Sequence, residues 1–188
     1  MIINGINKHN AMILPKVKIE NILYATDLSN SARYAFAHAV SLAEHYGAKI
    51  TILHVISEIH DFLEKSLPGY ISKDVWDEIK VKNLQEIRHS LIGKKRDNVM
   101  IHEVLARFSD RVRCESTAQT EFADEIIIDR GNPVKQILKQ AEARSCDVIV
   151  MGSHGQSSLA DVMVGSITRR VLRRSKQPVL VVRLPENE

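Results

Sequence analysis

The chain has 188 residues, a formal net charge of +3, 44% hydrophobic and 26% charged residues, which fits one domain with a filled core and excludes a disordered chain. No apolar run approaches the roughly 18 residues of a membrane helix, and MIINGINKHNAMILPK at the start carries neither a basic n-region nor a continuous h-region, so neither membrane nor signal peptide is expected. The weak positive charge gives no argument for nucleic acid, and Cys114 and Cys146 form no CxxC or disulfide framework, which suits a reducing cytoplasm.

Short β-rich runs alternate with helical patterns, the signature of parallel βαβ units. Residues 20–26 (ENILYAT) read as a first strand running into Asp27, with Ser29 or Asn30 capping the next helix. Ala32, Ala35, Phe36, Ala39 and Ala43 recur at helical spacing, and Gly47 stops that helix. Residues 49–55 (KITILHV) form a second strand, apolar on both faces as a buried parallel strand should be. The stretch 57–124 that follows is long for a crossover. Pro68-Gly69 marks a turn in it, Val75, Ile79, Leu84, Ile87 and Leu91 look helical, as do Ile101, Leu105, Phe108 and Val112, and a polar loop closes it. Residues 125–130 make a third strand. Asn132 then caps, and Pro133 opens, a helix with Val134, Ile137, Leu138 and Ala141 inward. A fourth strand covers 147–151 and a fifth 179–182, leaving a domain over 19–184 between tails at 1–18 and 185–188.

The informative segment starts where the fourth strand ends: Gly152-Ser153-His154-Gly155, nine residues, then Gly165-Ser166 opening the last helix. A strand that leaves its sheet through glycines exposes backbone N–H groups without side chains to block a ligand. Ser166 stands where an N-cap belongs, and the unpaired amides and positive end of the helix it starts favour an anion such as phosphate, with the Ser166 and Thr168 hydroxyls adding hydrogen bonds. Turn geometry and close packing are the competing explanation of the same glycines. Likewise Asp27 is either a helix cap or a ligand contact at a strand's C-terminal end.

The chain resembles the nucleotide-binding branch of the universal stress protein family, whose signature G-x2-G-x9-G-[ST] is met by Gly152, Gly155, Gly165 and Ser166. ILYATDLS, ITILHV, GNPVKQIL and KQPVLVV extend the likeness over about residues 19–184, the insertion 57–124 excepted. The resemblance implies an α/β fold: a five-stranded parallel sheet in the order 3-2-1-4-5 with helices on both faces, here with a long helical insertion between strands two and three. It implies bound ATP, ADP or AMP, with Mg²⁺ carried by the nucleotide. Ala25, Thr26 and Asp27 would lie against adenine and ribose and Val55 against adenine. Met151, Gly152, Ser153, His154 and Gly155 would border ribose and phosphates, and Gly165, Ser166, Ile167 and Thr168 would hold the phosphates. In that order strands one and four meet where the winding reverses, and ligands bind beside strand C-termini at such a point.

The family likeness also implies homodimers through Val179–Val182, whose last position in the sheet leaves an open edge. No GxxxxGK[ST] is present, so at most slow ATP hydrolysis is expected. A partner-docking scaffold using the insertion, and an adenylylating enzyme on a related fold, are the competing functions; ATDLSN carries neither an SGGxDS-type loop nor HxGH. Residues near Leu67 to Ile71 could reach over the crevice. His154 either sits near phosphate or points to solvent. His38 and His45 lie two turns apart and His54 and His60 on a strand and loop, so no zinc site is expected. Arg169, Arg170, Arg173, Arg174 and Lys176 make a basic run, read as a solvated face or as a dock for an acidic partner.

Overall fold

The computed structural model describes residues 16–56, 71–75, 77–79, 93–115, 125–155 and 164–185. Its strands are β1 (Asn21–Thr26), β2 (Lys49–Ile56), β3 (Glu125–Arg130), β4 (Val148–Gly152) and β5 (Val179–Val182). All four pairings are parallel and the order is β3-β2-β1-β4-β5, as expected from the resemblance. Parallel neighbours need crossovers, and helices α1 (Asn30–Tyr46), α2 (Gly93–Glu115), α3 (Pro133–Ala143) and α4 (Ser166–Arg174) lie between the strands in sequence.

Alternation along β1 sorts the core into two layers. Ile22 and Tyr24 point to the face covered by α1 and α2, in a cluster with Phe36, Ile52, Ile101, Leu105 and Phe108. Leu23 and Ala25 point to the face covered by α3 and α4, with Leu53, Ile137, Ile149, Met151 and Val171. The first face binds the insertion into the domain. The Tyr24 and Phe36 rings are 4.9 Å apart, the Phe36 and Phe108 rings 5.2 Å, and Ile79, Ile101, Leu105 and Phe108 are buried. The described part of the insertion therefore belongs to the core. Pro68-Gly69, Trp76, Leu84, Ile87, Leu91 and the loop over 116–124 lie outside the described residues.

Strand boundaries shift by a residue where side chains compete for the ladder. Asp147, expected to open the fourth strand, precedes it instead: its carboxylate accepts from the Glu20 and Asn21 amides (2.7 and 2.9 Å), so it clamps the start of β1. Gly152, expected in the turn, is the last residue of β4 and stands opposite Val182. Cys146 is buried, and loss of hydration pushes its thiol up to about 11. No described helix is long and apolar enough to cross a membrane.

Candidate functional site

β1 has β2 on one side and β4 on the other, so the winding reverses between β1 and β4, and their C-terminal ends open the crevice in which α/β sheets bind ligands. The β1–α1 turn is closed by its own side chains. Thr26 Oγ1 accepts from the Leu28 amide (3.0 Å) and Asp27 Oδ1 from the Ser29 amide (3.1 Å). Leu28, buried, takes a left-handed φ of 65°, an uncommon conformation for a leucine that these two bonds hold in place. Ser29 caps α1, its hydroxyl accepting from the Ala32 amide at 3.1 Å. Asp27 is thus no helix cap: it stands one residue past the strand, half-buried, at the crevice.

Among the described residues the start of α4 has no such side chain. Gly165 has extended backbone (φ −59°, ψ 156°) and is itself the N-cap, its carbonyl accepting from the Arg169 amide at 3.0 Å, and no side chain among the described residues caps α4. Ser166, expected at the N-cap, is instead the first helical residue, because the first intrahelical bond falls to the Gly165 carbonyl. The N–H groups of Ser166, Ile167 and Thr168 find no acceptor among the described residues. Those three donors and the helix dipole form the anion-favouring end of the crevice.

Other predicted donors are committed. The Ser153 amide donates to the Val182 carbonyl (2.7 Å) and the Gly165 amide to the Ser153 carbonyl (2.8 Å). Thr168 Oγ1, buried, donates to the Gly152 carbonyl at 3.0 Å, which ties α4 to the end of β4. The expectation that these groups point bare to a ligand therefore narrows to the first three amides of α4.

The signature glycines share one physical requirement, close approach, since none has a positive φ. A Cβ on Gly152 would lie 2.7 Å from Ser31 Oγ and 2.8 Å from the Ala32 nitrogen, so its missing side chain admits the start of α1. A Cβ on Gly155 would lie 2.5 Å from Asp27 Oδ2, which brings the loop and the carboxylate together. A Cβ on Gly165 would lie 3.3 Å from the Ser153 carbonyl oxygen. Ser29 Oγ donates to the His154 carbonyl and Ser31 Oγ to the Val182 carbonyl, both at 3.4 Å, knitting α1, the loop and β5. Ser31 was not among the expected site residues, and Val182 was expected only at the sheet edge.

Of the remaining candidates, Ala25, Thr26 and Met151 are buried in the crevice floor, while Val55 and Ile167 are half-buried against the α3–α4 layer. His154 is half-buried with its Nδ1 2.8 Å from Ser153 Oγ. His54, on β2, was not expected near the site. Its ring is buried with Nδ1 2.9 Å from the Thr26 carbonyl, and burial pulls its pKa down, against the opposing pull of that carbonyl and of Asp27. Among the described residues no three His, Cys, Asp or Glu side chains gather as metal ligands.

Comparison with known proteins gives the same outline. The universal stress protein MJ0577 of Methanocaldococcus jannaschii is 29% identical over 177 residues, covering 89% of this chain and 96% of that protein. Its solved structure superposes with a TM-score of 0.64 at 27% identity, covering 91% of this chain and all of that one (100%). Universal stress protein YxiE of Bacillus subtilis is 32% identical over 162 residues, covering 86% of this chain and 97% of YxiE. A universal stress protein solved in complex with cAMP shares the fold, with a TM-score of 0.56 at 23% identity over 89% of this chain and 98% of that one. The sequence model of the universal stress protein family matches residues 18–183, and the chain belongs to that family.

Proposed function

We propose that this chain binds an adenine nucleotide, ATP or its ADP and AMP relatives, and acts as a cytoplasmic homodimer in stress response or regulation. The observation that carries the reading is the juxtaposition of three things in one crevice: uncapped α4 amides, a glycine loop without bulk, and the Asp27 carboxylate against Gly155. The Ser166, Ile167 and Thr168 amides would hold phosphate oxygens. Asp27 would accept from a ribose hydroxyl or base amine, with Ala25, Thr26, Val55 and Met151 beside the base and the 152–155 loop over the ribose. Mg²⁺ would arrive with the nucleotide, since among the described residues the crevice gathers no cage of carboxylates. A universal stress protein of the same fold was solved in complex with cAMP, which supports the reading. Without a P-loop lysine, hydrolysis is slow at most.

Calorimetric titration with ATP, ADP and AMP tests this. The parent chain binds at least one of them, and Gly155→Ala, which displaces only the tip of Asp27, weakens that binding by about tenfold or more while the fold survives. Failure of all three nucleotides to bind removes the proposal. Sedimentation velocity tests the assembly: a dimer is expected, through the open edge of β5, and a monomer at every concentration contradicts it.

A further inference from the structure

The exposed face of α4 carries Arg169, Arg170, Arg173 and Arg174, and none of them meets a carboxylate among the described residues. Other cations do: Arg107 pairs with Glu78 and Glu103, Arg144 with Glu125, and Lys176 with Glu142. The helix dipole accounts for Arg173 and Arg174 in the last turn but not for Arg169 and Arg170 one turn earlier. Spacings of four residues set Arg169 against Arg173 and Arg170 against Arg174, like-charge pairs that destabilise an isolated helix. Leu172 stands among them, 44% exposed. Exposed Arg183 follows β5 in the register of Val179, which packs with Val171 of α4, so it adds to the same side of the sheet. The 26 basic residues of the chain exceed its 23 acidic ones by only three, so without these five arginines the balance turns negative.

We propose that this face docks an acidic segment of a partner protein, with alternating carboxylate and apolar side chains. Arginines one helical turn apart, about 5–6 Å, match carboxylates two residues apart on an extended strand, about 6.6 Å. Each guanidinium fork can take a carboxylate with two hydrogen bonds, and Leu172 lies between the rows against the methylene stems of those acidic side chains, the apolar side chains of the segment facing its own protein. Nucleic acid fits less well. The positive surface is one nine-residue helix and its margin, and α3, α4 and β5 offer no aromatic ring on which a base could stack.

The test uses the full chain and a fluorescent peptide alternating glutamate with leucine, read by anisotropy at low salt. The peptide binds the parent, binding weakens as salt rises, and changing the four α4 arginines to glutamine weakens it by about tenfold or more. Lys135→Gln with Lys139→Gln, on the exposed side of α3, leaves affinity unchanged. Thermal midpoints of both variants stay near the parent value, since every altered side chain is exposed. Absence of peptide binding by the parent, or equal affinity in the four-arginine variant, overturns the proposal. Tighter binding of a single-stranded oligonucleotide or of phosphatidylglycerol vesicles than of the peptide also overturns it and assigns the face to that ligand.

Discussion

The two strand-to-helix turns at the centre of the sheet, β1 to α1 and β4 to α4, do the same topological job with opposite chemistry. The first spends side chains on its own backbone: Thr26, Asp27 and Ser29 each accept an amide, and Ser29 gives α1 a side-chain cap. α3 is finished the same way, Asn132 accepting from the Lys135 amide. The second uses glycines to bring backbone against backbone and leaves α4 with no side-chain cap. A side-chain cap is worth about 1 kcal/mol, so a helix that starts without one, beside two that have one, is where the proposed phosphate would supply the missing acceptors.

Breaking the backbone contact gives the largest effect. Gly152→Ala drives a Cβ into the main chain of Ser31 and Ala32, and costs about 2–3 kcal/mol of unfolding free energy, read from the urea midpoint. A mild effect there would mean that the two turns are less tightly docked than their geometry indicates. Supplying the missing cap sharpens the contrast further. Gly165 has a backbone conformation that aspartate adopts readily, so Gly165→Asp places a carboxylate at the start of α4. Stability should stay within about 1 kcal/mol of the parent while ATP affinity falls about tenfold or more, because the carboxylate competes for the amides and repels phosphate. Undiminished ATP binding in that variant would separate the amides from the site.

The smallest effect concerns the floor beneath the closed turn. His54 is buried and its pKa is held below the ordinary 6.5, so the unfolded chain binds its proton more readily than the folded one. Stability contributed by the neutral ring is complete above pH 6.5 and declines as pH falls below it, until the lowered folded pKa is reached. His54→Gln, which keeps a donor toward the Thr26 carbonyl, should flatten the decline seen in urea midpoints below pH 6.5. An identical pH profile in parent and variant would place the titration elsewhere.

Much of this architecture was legible in the residues. Alternating strand and helix patterns, the Gly47 stop (left-handed, φ 67°) and the Asn132-Pro133 start are local signals that local rules read correctly, and of the two caps they offered, Ser29 and Asn30, the structure uses Ser29. The strand order came from family likeness, because pairing between distant segments leaves little trace in either segment. What local rules missed depends on contacts across the chain. Gly152 is small because α1, some 120 residues earlier, presses on it, and Thr168 turns its hydroxyl to a carbonyl at the end of β4. Ser166 resembles a cap by identity, yet the preceding carbonyl takes the first helical bond. The left-handed Leu28 breaks the preference of its residue type, and only the two side-chain bonds around it explain that conformation.

The amide resonances of Ser166, Ile167 and Thr168 offer the most direct measurement, followed by two-dimensional NMR during separate titrations with ATP and with adenosine. Large shifts at all three with ATP, and little change with adenosine, are the predicted result. Binding of ATP that leaves those three resonances where they were would contradict the assignment of α4's uncapped end as the phosphate site.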